Sequence, residues 1–285
     1  MPFIITIILL FSVGRSIAQG EIDCQRPATT NKTPVPEIKT VEWKGFDKDT
    51  FRVADRACFV IKPPQTAPGN PWVWRARFPG YHPEIDLILL NKGFHVAHIN
   101  TGGTFASPGA MEDWDQFYQY VLTHYNLAEK VGLEGVSRGG LFMYTWAKRH
   151  PESVACIYGD TPVCDIKSWP LGAGKGMGSE ETWAKLLKHY NMTDEQARAY
   201  NNNPFDNLEP LVRNGIPILH IVSEDDQIVP PAENTYILQE RYHKLGGEME
   251  VISVPHGTKK TNGHHFKLED PARCANFFIK HCSVR

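Results

Sequence analysis

The sequence predicts an α/β protein with a mostly parallel central sheet and helices on both faces, and three observations carry that expectation. From Glu84 onward, apolar strand-like runs alternate with helical runs, the pattern of parallel strands joined by crossover helices. Ahead of that stretch, short β-rich runs separated by Gly, Pro and Asn clusters read as an antiparallel entry to the sheet. Between Thr161 and Asn214 the alternation lapses into a helical and loop insertion after the sixth predicted strand, then resumes.

In chain order, Phe3 to Val13 is an apolar run and Ser16-Ile17-Ala18 has the small-x-small pattern cut by signal peptidases. Residues 1–18 are therefore expected to be a signal peptide, leaving 19–285 as a single domain in a secreted or periplasmic protein. The run is too short to span a bilayer, which takes about 20 apolar residues, so no stable membrane span is expected after processing. A polar lead from Cys24 to Pro36 precedes predicted strands at Thr40–Trp43, Ala57–Ile61 and Trp72–Arg77. The alternating region then reads as helix Glu84–Asn91, strand Phe94–Asn100, helix Ala110–Thr123, strand Val131–Gly135, helix Gly139–Arg149 and strand Val154–Tyr158. Helical runs Glu180–His189 and Asp194–Tyr200 lie in the insertion. Strand Ile216–Val222, helix Ala232–Leu245, strand Glu248–Val254 and helix Pro271–His281 complete the chain.

With 285 residues, 41% hydrophobic and 22% charged, the composition is ordinary for one globular core. The formal charge is −2 with both signs interspersed, so no basic stripe suggests nucleic acid. The six cysteines allow 15 pairings that the sequence does not rank. Some bridging is expected outside the cytosol, while Cys156, in an apolar run, reads as a small core residue and Cys274 and Cys282 lie too far apart on one helix to bridge each other.

The chemistry is concentrated in three places. Gly135-Val136-Ser137-Arg138-Gly139-Gly140 is a G-x-S-x-G match between an apolar strand and a helical run, the context that a nucleophile elbow needs. The turn exposes the serine oxygen and puts the backbone N–H of Arg138 at a helix N-terminus, where it can stabilise an oxyanion. A serine needs a base, and in this architecture acid and histidine follow in that order. Asp226 is the preferred acid in Asp226-Gln227-Ile228-Val229-Pro230 at a strand's carboxyl end, with Asp225 the alternative. His264, after Gly263 and before Phe266, is the preferred base, with His265 its competitor. The second oxyanion donor is open; backbone groups around Arg77 or Phe78 are the candidates, while Arg75 and Arg77 could instead bind a substrate anion or pair with acids, pairing being the commoner fate of an arginine.

These motifs, Gly135 to Gly140, Asp226 to Pro230 and Gly263 to Phe266, resemble those of the α/β-hydrolases over nearly the whole mature chain. The resemblance is closest to uncharacterised secreted bacterial hydrolases near the prolyl-oligopeptidase and dienelactone-hydrolase branches, supported by Tyr158-Gly159-Asp160-Thr161-Pro162-Val163-Cys164-Asp165 and by Leu245-Gly246-Gly247. It implies the α/β-hydrolase fold and a Ser137–His264–Asp226 triad acting through an acyl-enzyme. The expected function is carboxylic ester hydrolysis, on a small-molecule or glycan ester such as an acylated or methylated carbohydrate. A serine peptidase of prolyl-oligopeptidase type is the second reading and a catalytically retired binding protein the third. No cofactor is implied. Gly172 to Ser179 departs from a phosphate loop because glycine follows Lys175 and no apolar strand leads in. His264-His265 has no spaced Cys or acidic partner to suggest a metal.

Overall fold

A computed structural model describes residues 37–283; the expected leader 1–18 and Cys24 lie outside the described residues. Its strands are β1 (Lys39–Trp43), β2 (Phe46–Val53), β3 (Arg56–Ile61), β4 (Trp72–Arg75), β5 (His95–Ile99), β6 (Val131–Val136), β7 (Val154–Asp160), β8 (Ile218–Ser223) and β9 (Met249–Val254). The helices are α1 (Pro83–Asn91), α2 (Pro108–Tyr125), α3 (Gly139–Arg149), α4 (Glu180–Tyr190), α5 (Asp194–Arg198), α6 (Glu209–Arg213), α7 (Thr235–Lys244) and α8 (Pro271–Cys282). All nine strands form one sheet in the order β1-β2-β3-β5-β4-β6-β7-β8-β9. β1, β2 and β3 pair antiparallel, as do β3 and β5; from β5 through β4 to β9 every neighbouring pair is parallel.

The pleat explains why both faces are covered. Successive side chains of a strand point to opposite faces: on β4, Trp72 and Trp74 join one core cluster while Val73 joins another, and on β8, Ile218 faces the first while Leu219 and Ile221 face the second. Helices α2 and α3 fill the first face with Trp114, Phe117, Phe142 and Trp146; α1 and α8 fill the second with Ile85, Leu89, Cys274 and Phe278. Trp74 stacks on Trp114 with centroids 4.2 Å apart and meets Trp146 edge-on at 5.0 Å, an aromatic stack that fixes α2 and α3 over the sheet centre. Helix starts follow local chemistry. Proline occupies the first turn of α1, α2 and α8, where its missing N–H costs nothing, and the Asp270 side chain caps α8 through Arg273 N–H at 3.0 Å.

Three differences from the sequence expectation have physical causes. Phe46–Val53 is a strand despite its charges because both of its faces are partly covered, Phe46 packing on one side of the sheet and Asp49 and Phe51 on the other; with it counted, the insertion follows the seventh strand rather than the sixth. The expected helix from Ala232 is a 3-10 turn, Pro231–Glu233, and α7 begins only at Thr235. Asn234 interrupts it: its side-chain oxygen accepts the N–H groups of Cys164 and Asp165 at 2.8 and 3.2 Å, so it ties the segment after β7 to the base of α7. The third concerns the cysteines. All five described are free and buried, and Cys156 Sγ faces Cys282 Sγ at 3.6 Å. Among the described residues no helix is long and apolar enough to cross a membrane.

Candidate active site

Ser137 occupies the two-residue gap between β6 and α3 with φ +50°, in the left-handed region that a non-glycine residue enters only under constraint. Three hydrogen bonds supply it: Ser137 N–H donates to the Asp160 carbonyl at 2.8 Å, and the Ser137 carbonyl accepts from Val163 and Gly140 at 2.8 and 3.0 Å. The flanking glycines are required by close approach. A Cβ on Gly135 would lie 2.5 Å from Met143 Sδ, and one on Gly140 would lie 2.5 Å from the Val163 carbonyl oxygen.

The structure brings Ser137, His264 and Asp226 into one hydrogen-bonded row. Ser137 Oγ lies 2.9 Å from His264 Nε2, and His264 Nδ1 lies 2.7 Å from Asp226 Oδ2. The three come from the ends of β6 and β8 and the loop after β9, strands of the parallel run β6-β7-β8-β9 whose carboxyl edges form one rim. Asp226 is held in turn by the N–H groups of Ile228 and Val229, which donate to Oδ1 at 2.8 and 2.9 Å. Only its second oxygen is therefore left for the imidazole, which fixes the ring orientation.

Asp225 and His265, the two sequence alternatives, sit elsewhere. Asp225 faces solvent and clamps the histidine loop: Oδ1 accepts from Ser223 Oγ and Gly257 N–H, both at 2.7 Å, and Oδ2 lies 3.2 Å from His256 Nδ1. The Gly257 N–H bond, with help from Ser223 and His256, holds its carboxyl below the usual range. Gly263, at φ +80°, passes so close to the Asp225 backbone that a Cβ would lie 2.3 Å from its carbonyl oxygen. His265 packs its ring 4.7 Å from Tyr81 and 4.6 Å from His264. Burial, aided by the neighbouring His264, pushes its pKa down to about 4, so it stays neutral.

Around the serine, the backbone N–H groups of Arg77, Phe78 and Arg138 have no acceptor among the described residues, as donors awaiting an oxyanion would. Arg77 lies against the first turn of α3, its N–H 3.6 Å from where a Cβ on Gly139 would be. Beneath the elbow is a buried charge cluster that sequence reasoning missed. Arg75 bonds Asp86 at 2.6 Å and lies 3.2 Å from Glu134, while Asp160 Oδ2 lies 3.5 Å from His82 Nε2. Burial raises the pKa of Glu134 to about 8 and of Asp160 to about 7. The available signal was Glu134 itself, a carboxylate inside the apolar run Val131–Val136. The Gly-rich loop, set aside above as a phosphate site, spends its Lys175 N–H on the Glu233 carboxylate.

Sheet order, crossover helices and elbow define the protein as an α/β-hydrolase. The model of the prolyl oligopeptidase family matches residues 108–284, more than half of the chain, and the chain belongs to that family. No curated protein matches it in sequence. Among solved structures it is similar to a puromycin hydrolase (TM-score 0.63, 18% identity, 88% of this chain and 40% of that one). A Pyrococcus horikoshii acylaminoacyl peptidase (0.61, 15%, 89% and 43%) and Porphyromonas gingivalis dipeptidyl peptidase 4 (0.60, 15%, 86% and 35%) are likewise similar. The chain thus spans less than half the length of each.

Proposed function

We propose that the protein is a serine peptidase of prolyl-oligopeptidase type, with Ser137 as nucleophile, His264 as base and Asp226 as the group that orients it. The reading rests on one observation above all, the 2.9 Å contact of Ser137 Oγ with His264 Nε2 on a strained elbow, in a chain of a peptidase family. Ser137 Oγ attacks the peptide carbonyl as His264 Nε2 takes its proton, and Arg138 N–H with Arg77 or Phe78 N–H receives the developing oxyanion. The tetrahedral intermediate collapses with the C–N bond breaking, and His264 returns the proton to the departing amine. Water then repeats the attack on the acyl-enzyme, giving a carboxylic acid and free Ser137. Ester hydrolysis on carbohydrate, the first expectation from sequence, draws no support from the family or the structural relatives, two of which are peptidases.

The test is a paired panel: short peptides against p-nitrophenyl and sugar esters, with fluorophosphonate labelling of wild type and Ser137→Ala. Peptide turnover that disappears with Ser137 supports the proposal. Labelling of Ser137 with ester turnover and no peptide turnover returns the reading to an esterase.

A further inference from the structure

Lys48 and Arg77 line one groove, Arg138 follows Ser137 in the chain, and none of the three cations has an acidic partner among the described residues. Arg77 and Arg138 form neither an ion pair nor a side-chain hydrogen bond there, and both are only partly exposed. Both guanidinium groups instead lie over the ring of Phe78, at 4.7 and 5.2 Å from its centroid, and Arg138 also lies 5.5 Å from the centre of Trp169. Lys48, on β2, rests its ammonium 4.0 Å from the centre of the Phe59 ring. Lys48, Phe59, Arg77 and Phe78 line one groove of about 440 Å³. The groove reaches the site at Phe78, whose ring touches the side chain that follows Ser137.

Unpaired cations in partly dry surroundings are costly. Burial lowers the pKa of all three, and for Arg138 the charge of Arg77 adds to the effect. Elsewhere the protein supplies partners: the fully buried Arg75 has Asp86 and Glu134, and Arg241 has Asp206. Two like charges held side by side on aromatic platforms, with their hydrogen-bond donors unspent, form a receptor for a planar anion, which a guanidinium binds in bidentate fashion.

We propose that Arg77 and Arg138, with Lys48 further along the groove, bind a carboxylate of the substrate and make this enzyme selective for peptides bearing a negative charge within about two residues of the scissile bond, at ~3.5 Å of chain per residue. This rests on the peptidase reading above. The carboxylate could be a peptide's C-terminus or an acidic side chain; the chemistry recognised is the same, and the test separates them.

Matched peptides carry a free C-terminal acid or its amide, and Glu or Gln beside the cleaved bond. For each, kcat/KM is measured, and so is slowing of fluorophosphonate labelling of Ser137, which needs no turnover. The wild type is expected to favour the charged member of one pair by about tenfold or more, with the advantage shrinking at high salt. Arg77→Met and Arg138→Met should each collapse that ratio, and Lys48→Met should lower it less. Using a ratio removes any general loss from altering residues so near the oxyanion donors. The pair that shows the preference identifies the source of the carboxylate. Peptides cleaved with equal efficiency whatever their charge overturn this inference and leave the peptidase reading intact. Charge-selective protection of Ser137 without any peptide cleavage does the reverse. Equal protection in every pair, or a preference that survives both arginine variants, also overturns it.

Discussion

A serine hydroxyl becomes a nucleophile only if the imidazole beside it is neutral and correctly turned, so the residues that hold His264 matter as much as His264 itself. Asp226 has one oxygen on two backbone N–H groups and the other 2.7 Å from His264 Nδ1. Asp226→Asn leaves the packing in place but offers the ring an amide that can present the wrong partner, and kcat should fall by about 10⁴. Asp225→Asn touches only the outer clamp on Gly257 and His256, and steady-state kinetics should show a far smaller loss. Equal losses would show that the loop clamp, not the acid, limits turnover. The histidines separate in the same way. His265 is neutral above about pH 5 because its pKa lies near 4, so His265→Ala should keep the shape of the wild-type pH–rate profile with measurable kcat, whereas His264→Ala should leave no pH-dependent turnover. At this scale the sequence made much of the site legible: Ser137, Asp226 and His264 come together, and Gly263 and Phe266 flank the histidine as their spacing suggested. What it did not reveal are the unpaired cations and the Arg75 cluster, because charge pairing depends on which strands become neighbours, and β4 meets β6 with Arg75 opposite Glu134, 59 positions further along the chain.

Elements add what single residues cannot, a rigid frame for the elbow. α3 packs so closely on the segment after β7 that Gly140 has no room for a side chain: a Cβ would sit 2.5 Å from the Val163 carbonyl oxygen and 2.8 Å from Pro162 Cβ. Alanine normally helps a helix interior by up to about 1 kcal/mol over glycine, but here backbone must move. Gly140→Ala should therefore destabilise the fold by about 1–3 kcal/mol, read as a lower urea midpoint at unchanged slope. Unchanged or raised stability would mean that the contact yields freely. The central elements were legible because buried parallel strands are continuous apolar runs, as in Val131–Val136 and Ile218–Ser223. β2 was not, since charges fall on both of its faces and the buried Asp49 shares its face with Phe51, an inward carboxylate that Thr40 and Lys62 satisfy at 2.6 and 3.0 Å. The start of α7 escaped for a similar reason: Asn234 spends its side chain on Cys164, Asp165 and Ser168, bonds that no local pattern announces.

Across the whole molecule, buried titratable groups of both kinds set the response to pH. His95 and His98 have pKa values lowered to about 4 and His220 to about 3, in each case chiefly by burial. Each is neutral in the fold and must gain a proton when unfolded in acid, so they cost stability as pH falls below the unfolded imidazole value of about 6.5. The carboxyl groups act in the other direction. Glu134 and Asp160 are raised by burial to about 8 and about 7, while Arg75 is already balanced by Asp86 at 2.6 Å. They are protonated in the fold and ionised when unfolded above about pH 4.5. Their contribution is thus fully present in acid and is lost as pH rises through their folded values. Between about pH 4.5 and 6.5 the two sets oppose each other, three histidines against two carboxyls, so stability should rise only gently with pH. Above about pH 6.5 the histidines no longer titrate, and stability should fall toward pH 8 by up to about 1.4 kcal/mol per pH unit for each carboxyl still protonated. Glu134→Gln keeps the shape and removes one of the two titrations. Urea melts of wild type and variant at a series of pH values from 5 to 8.5 should therefore show the variant with a shallower alkaline decline and a relative advantage that grows with pH. Parallel profiles would mean that Glu134 is ionised in the fold, and Arg75 would then carry two carboxylates rather than one.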